Sequence, residues 1–418
     1  MIRSIYSLMF YLILPGVYLR LIWRSLKEPR YRQDLAQRMG HVEAGDPGAV
    51  WVHAVSAGET IAAKGLVESL LEAGHRVLLS NMTPAGRDRA EALFGKRVIN
   101  VYAPYDVPHA VQRILQTVQP KALIFIDTEL WPNMIALARK NQVPVYLVNG
   151  RLSARSAQGY SRISALAKPM FKSLSQVFAQ SDSQAARFKA LGAPEIVVTG
   201  SVKFDSTLPV DFQSRIEGLK RQIGQRRVIL GASTHEGEET LLLEAFLLMS
   251  DASPLLILAP RHSHRSSAVA EKLEKAGINY QLHSKGIQLD HRVQVYLLDT
   301  MGELIYFYGI CDVAFVGGSL VDVGGHNPME PGLLGKPILM GPYRRNISDI
   351  ADQFVEAGAL RTVTSAEEAR IAFVGLLGNP TEWTRMSTAA LEVMKRNRGA
   401  LEKVKKSILS NLNSEKTA

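Results

Sequence analysis

The chain holds one cysteine in 418 residues, Cys311, so it can close no internal disulfide and offers no thiolate cluster for zinc or iron–sulfur chemistry. In "YGICDVAFVGG" that thiol lies in an apolar run and reads as a buried structural group. There is no H-E-x-x-H pattern, and the histidines of "STHEGEET", "PRHSHR" and "GGHNP" have no spacing that marks a metal centre. Short-period repeats, low-complexity tracts and long linkers are also missing, which excludes solenoids and extended arrays. Acidic residues are the scarcer charge, 39 against 49 Lys and Arg, and the formal net charge of +10 calls for an acidic partner. Nucleic acid, anionic lipid and a phosphorylated substrate all satisfy that requirement.

Where the charge sits narrows the choice. Residues 1 to 40 carry Arg3, Arg20, Arg24, Lys27, Arg30, Arg32 and Arg38 against only Glu28 and Asp34, which is half of the net excess. Between Arg3 and Arg20 runs the uncharged "SIYSLMFYLILPGVYL". As helix it would reach ~24 Å, short of the roughly 30 Å hydrocarbon core, and Pro15-Gly16 is expected to interrupt it. Tyr6, Phe10, Tyr11, Tyr18 and Trp23 followed by a basic cluster fit a segment lying in the membrane interface, with the cluster on the cytoplasmic side. No A-x-A site follows the apolar run, which disfavours a cleaved signal peptide. The competing possibilities are a true span and a helix packed on its own protein.

Beyond this anchor, placed at 1–24, short apolar runs alternate with amphipathic stretches. "AVWVHAV" (49–55), "RVLLS" (76–80), "ALIFI" (122–126), "PVYLV" (144–148) and "QVFAQ" (176–180) read as buried strands, with "ETIAAKGLVESLLEAG" and "PNMIALARKN" as intervening helices. A polar helical stretch near 200–226 breaks the rhythm, which restarts with "RVILGAST" (227–234), "PLLILAPRH" (254–262), "VQVYLLD" (293–299), "DVAFVGGS" (312–319) and "PILMGP" (337–342). A length of 418 residues exceeds one ordinary core. The pattern predicts two doubly wound α/β domains, 25–205 and 206–418, facing each other across a cleft. From about Thr381 a helical tail with no later strand is expected to return to the first domain.

Ligand sites of such sheets lie at the carboxyl ends of the strands, where helix N-termini point. "SAGET" occupies such a position, and Glu59 there reads equally as a dipole-stabilised helix acid or as a functional carboxylate. "IFIDTELWPN" sets Asp127 and Glu129 directly after a strand, as structural acids or as groups for base catalysis and electrostatic support. "APRHSHR" puts Arg261 and His262 at another strand end, with Arg shaped for phosphate or carboxylate. "DTMGEL" and "GGHNPMEPGLLGKP" add two loop-to-helix transitions, the second with Asn327 ahead of Glu330, whose carboxylate can accept from ribose hydroxyls.

In order along the chain, "SAGET", "NMTPAGRDRA", "DTELWPN", "NGRLSARS", "TGSVKFD", "STHEGEE", "PRH", "DTMGEL" and "FVGGSLVDVGGHNPMEP" resemble the Kdo transferase family, over nearly the whole chain. The resemblance implies a GT-B type fold of two Rossmann-like domains, no cofactor and no metal. It implies an inverting glycosyltransferase that moves 3-deoxy-D-manno-octulosonic acid (Kdo) from CMP-Kdo to a lipid A precursor, lipid IVA, in lipopolysaccharide biosynthesis. The enzyme would work on the cytoplasmic side of the inner membrane, against an anionic surface that explains the basic cluster better than nucleic acid does. By the same resemblance Glu59 is the general base, Glu129 the second acid of its motif, and Lys203 stabilises negative charge in the transition state. Asp127 stands where the family usually shows glutamate. Pro260, Arg261 and His262, Met301, Gly302 and Glu303, and Asn327, Pro328, Met329 and Glu330 fall in the segments that hold CMP. Two other readings remain: a GT-B transferase or epimerase acting on a UDP-sugar, and a non-catalytic two-domain binding protein, which would need no acid at position 59.

Overall fold

Stretches rich in Val, Ile and Leu form parallel strands because such side chains fit a pleated surface buried on both faces. The computed structural model describes residues 2–26, 28–43, 45–205, 208–249, 254–286, 289–290 and 292–414; Lys27 of the basic cluster lies outside them. The chain divides into two units, one running to Asp205 and resuming at Arg398, the other filling 206–397.

In the first unit the strands are β1 (Val50–His53), β2 (Val77–Asn81), β3 (Ile99–Tyr102), β4 (Ala122–Ile126), β5 (Val145–Gly150), β6 (Gln176–Ala179) and β7 (Ile196–Val198). They align in the order β3-β2-β1-β4-β5-β6-β7. All pairings are parallel, with Val50 opposite both Val77 and Ala122. The strand order therefore reverses between β1 and β4. Helix starts follow local chemistry: Ser56 and Thr83 cap Ala57–Glu72 and Pro84–Phe94, and Pro108 and Pro132 open two more helices. Trp51 and Phe125 pack on one sheet face and Val52 and Ile124 on the other, against separate buried clusters.

The second cluster is completed by the last helix, Ala400–Ser414, whose Val404, Ile408 and Leu412 recur every four residues and are buried. Each contributes about 1.5–3 kcal/mol of burial. Asp205 fastens that helix by accepting the amides of Gly399 and Leu401, both at 2.7 Å. Gly65 lets it approach, since a Cβ there would meet Leu401 Cδ2 at 2.3 Å.

The second unit repeats the plan with β8 (Val228–Thr234), β9 (Leu255–Pro260), β10 (Tyr280–Leu282), β11 (Val295–Leu297), β12 (Val313–Val316), β13 (Ile338–Met340) and β14 (Leu360–Thr362). Their order is β10-β11-β9-β8-β12-β13-β14, so the direction of winding changes between β8 and β12. Cys311 is buried beside this core, its thiol pushed up to about 12 by burial.

The N-terminal segment corrects one expectation. Pro15-Gly16 does not interrupt it: a single helix runs from Ile2 to Ser25 with Pro15 inside. Proline removes one backbone bond there, but the helix is held along its length by the first unit. The Tyr6 hydroxyl donates to Asp106 (2.9 Å), Ser7 Oγ donates to Asn133 Oδ1 (3.1 Å), Tyr18 meets Tyr105 edge-on and Leu21 is buried. Twenty-four residues give about 36 Å, long enough to span by length alone. Its other face exposes Leu8, Met9, Leu12, Leu19, Ile22 and Trp23.

Candidate active site

Glu59 is the third residue of the helix that follows β1, and Ser56 caps that helix. The sequence Ser-x-x-Glu is a capping-box pattern, but the reciprocal bond is shifted by one residue: Glu59 Oε2 accepts the amide of Val55 (2.6 Å) rather than that of Ser56. Ser56 Oγ donates to Oε1 at 3.0 Å. The residue is only 9% exposed. Burial pushes its carboxyl up to about 7, against the two hydrogen bonds, and the charges of Asp127 and Glu129 add to the rise. Two hydrogen bonds leave further lone pairs on a carboxylate. A carboxyl roughly half ionised near pH 7 can take a proton from a hydroxyl and release it again.

Asp127 follows β4, the neighbour of β1 across the reversal. Its backbone is left-handed at φ 54°. Oδ2 accepts from Lys203 Nζ at 3.3 Å, joining residues 76 apart in sequence, and Oδ1 accepts from Asn149 Nδ2. Glu129, two residues on, is raised by burial and then by Asp127. Three of the anticipated groups thus share one electrostatic neighbourhood, and Lys203 supplies its cation.

Asn149 was not singled out by sequence. It is fully buried near the end of β5, left-handed at φ 60°, and its Oδ1 accepts the amide of Val202 at 3.2 Å. One side chain therefore ties the Asp127 turn to the turn that carries Lys203. Its only sequence signal is the Asn-Gly pair of "NGRLSARS", which marks a left-handed backbone and not a bridge.

In the second unit, Pro260 ends β9 and Arg261 follows it, its amide donating to Thr234 O (2.9 Å). Among the described residues the exposed Arg261 guanidinium has no hydrogen-bond or ion-pair partner, whereas nearby Arg265 is paired with Glu239 at 2.7 Å. His262, beside it, is exposed. Met301 is exposed and Gly302 is left-handed, but the Glu303 carboxylate is already engaged by Arg215, His283 Nε2 (3.0 Å) and Thr300 Oγ1 (2.5 Å). Asn327 Oδ1 accepts the Met329 amide (3.0 Å), Pro328 and Met329 are buried, and Glu330 is exposed on the first turn of Met329–Leu333.

Glu238 was also missed. Fully buried, it accepts the amides of His235 (2.9 Å), Gly318 (2.7 Å), Ser319 (2.9 Å) and Leu320 (2.9 Å), so it shapes the loop after β12 from the loop after β8. A partner 80 residues away leaves no local pattern to find.

Residues 33–206 match the family model described as 3-deoxy-D-manno-octulosonic-acid transferase (kdotransferase). The chain is 37% identical over 391 residues to the 3-deoxy-D-manno-octulosonic acid transferase of Haemophilus influenzae, covering 91% of this chain and 92% of that one. It belongs to the 3-deoxy-D-manno-octulosonic acid transferase family. The transferase of the same name from Bordetella pertussis is 36% identical over 405 residues, 93% of this chain and 94% of that one. Kdo transferases are glycosyltransferases of lipopolysaccharide biosynthesis, and this chain is one of them. Its two-unit α/β fold matches UDP-GlcNAc 2-epimerase from Neisseria meningitidis bound to UDP-GlcNAc, with a TM-score of 0.59, 15% identity, 87% of this chain and 100% of that one.

Proposed function

We propose that this Kdo transferase takes Kdo from CMP-Kdo and delivers it to lipid IVA with inversion at the transferred carbon. Glu59 removes the proton of the attacking hydroxyl. Loss of CMP develops positive character on the sugar ring and negative charge on the departing phosphate, as in other oxocarbenium-like glycosyl transfers. Arg261, an unpaired cation at a strand end, takes the phosphate charge, and Glu330 takes the ribose hydroxyls. Lys203, oriented by Asp127, supplies positive charge in the transition state, and no metal is needed for departure. The observation that carries this reading is the Glu59 carboxyl held near pH 7 by burial and by two neighbouring acids.

The helix Ile2–Ser25 supports attachment to the cytoplasmic face of the inner membrane by lying in the interface rather than crossing it. Tyr6 and Ser7 near one end and Tyr18 and Leu21 near the other are all engaged by the same unit, so a crossing pose would strip those contacts. The exposed apolar face faces lipid, and Arg20 and Arg24 meet anionic headgroups.

The test is to incubate the protein with CMP-Kdo and lipid IVA, weigh the product and assign its anomeric configuration by NMR. Transfer with inversion, lost in Glu59→Gln, is the expected result. Retention of configuration, or full turnover by that variant, refutes the mechanism; binding of UDP in preference to CMP refutes the donor.

A further inference from the structure

His235 follows β8 and His326 lies in the loop after β12, on either side of the second unit's reversal of strand order. Their Nε2 atoms are 2.8 Å apart and the rings are stacked at 13°. At that separation one proton lies between the two nitrogens, one ring donating and the other accepting. The pair is built in. Gly318, at φ 66°, presents a bare Cα to both rings: a Cβ there would stand 3.0 Å from His326 Cδ2 and 3.5 Å from His235 Cδ2. The loop is locked by Glu238 through the amides of His235, Gly318, Ser319 and Leu320, and by the His326 amide donating to Gly317 O (3.0 Å).

The surroundings are one-sided in charge. Arg261 and His262 face the pair, the His262 ring centre 6.0 Å from that of His235, and His264 stacks behind His262. Of the acids packed nearby, Glu238 is consumed by four amides and Glu239 by Arg265 and Thr234. Burial, then Arg261, His235 and His262, pushes His326 down to about 4, so that ring is neutral at neutral pH until an anion arrives.

We propose that His235 and His326 form an anion subsite. When a carboxylate or phosphate oxygen of the donor enters, the pair takes up one proton from solvent, the Nε2···Nε2 bond opens, and both Nε2–H groups donate to the anion. The inference rests on the donor reading above: a CMP-linked acid sugar carries two anionic groups, a phosphate and a carboxylate, and Arg261 is one permanent cation. A second donor set is needed, and this pair supplies it without holding a buried charge in the empty site.

Calorimetry of the full chain at pH 7.5, in two buffers of different ionisation enthalpy, counts the protons taken up with CMP-Kdo, CMP and cytidine. The wild type is expected to take up close to one proton with CMP-Kdo, and His326→Gln and His235→Gln to take up none and bind about tenfold or more weakly. Loss confined to CMP-Kdo assigns the pair to the carboxylate; loss shared with CMP but not cytidine assigns it to the phosphate. Unchanged affinity and proton uptake in both variants, with wild-type melting temperatures, overturns the proposal. Histidine Cε1 proton NMR during titration with inorganic phosphate separates the two levels of inference. If phosphate shifts both resonances while CMP-Kdo does not bind, the subsite stands and the donor reading falls; if neither phosphate nor CMP-Kdo moves them, the subsite falls.

Discussion

Replacing Glu59 with glutamine separates the two roles a helix N-terminal acid can have, because they predict stability changes of opposite sign. A carboxyl whose pKa rises from 4.5 unfolded to about 7 folded binds its proton more tightly in the folded state. Below 4.5 both states are protonated and nothing is lost; between 4.5 and 7 the unfolded state ionises first, and above 7 the full penalty is present. At about 1.4 kcal/mol per pH unit the gap amounts to about 3 kcal/mol. Glutamine removes that penalty, and its carbonyl oxygen can still accept the Val55 amide. Ser56 Oγ loses its acceptor and must turn to accept from the new amide, a change of about 1 kcal/mol. Glu59→Gln is therefore expected to be more stable than wild type by about 1–3 kcal/mol at pH 8, with the advantage disappearing below pH 4.5, while transfer is lost. Urea melts at a series of pH values, beside transfer kinetics, measure both. A variant less stable at pH 8 refutes the reasoning, since a cap that held a helix without strain would cost about 0.5–2 kcal/mol to disturb.

Asn149→Gly keeps the left-handed backbone, relieves about 1 kcal/mol of strain and deletes the bridge to Asp127 and Val202. Steady-state kinetics should show kcat falling at least about tenfold with KM little changed; full activity would mean that the asparagine serves only the backbone. Arg261→Ala should weaken CMP binding by on the order of 1.5–3 kcal/mol in calorimetry, and unchanged affinity would move the phosphate elsewhere. Leu12→Gln with Leu19→Gln and Trp23→Gln leaves the docked helix face intact, so melting temperature should hold while transfer on anionic vesicles falls much more than transfer in detergent. Deleting residues 2–25 strips Tyr6 and Ser7 from Asp106 and Asn133 and should lower the melting temperature as well.

The long central strands were legible because burial on both faces requires unbroken apolar runs such as "ALIFI" and "PLLILAP". The edge strands were not. Ile196–Val198 and Tyr280–Leu282 are three residues long and half buried, too short for any periodicity to register. Pro15 misled for a related reason: proline disfavours an isolated helix, but docking along the first unit outweighs one missing backbone bond. Single-residue motifs at strand ends could be read because carboxylates, arginines and glycines declare themselves locally. Asn149 and Glu238 could not, because each works on amides 53 and 80 residues away.

The two reversals of strand order use one geometry with opposite chemistry. At β1 and β4 the diverging strands leave room for Glu59, Asp127 and Glu129, where burial first and the two like charges second raise Glu59 toward neutrality. At β8 and β12 they leave room for His235, His326 and the adjoining Arg261, where burial and then the neighbouring cationic groups lower the proton affinity of His326, while Glu238 and Glu239 are bound to amides and to Arg265. Glycosyl transfer needs both conditions: a base that is neither fully charged nor fully protonated at neutral pH, and a cationic surface with no internal counter-ion to displace before an anionic leaving group can bind. Each unit meets one of them: Lys203 is engaged by Asp127, which leaves Glu59 among acids, and the acids nearest the histidine pair are held by amides and by Arg265. An added carboxylate in the second unit, such as His262→Asp at an exposed position whose ring centre lies 6.0 Å from that of His235, should therefore weaken CMP-Kdo binding in calorimetry, although it would make the local charge balance more even, and unchanged affinity would refute the charge argument.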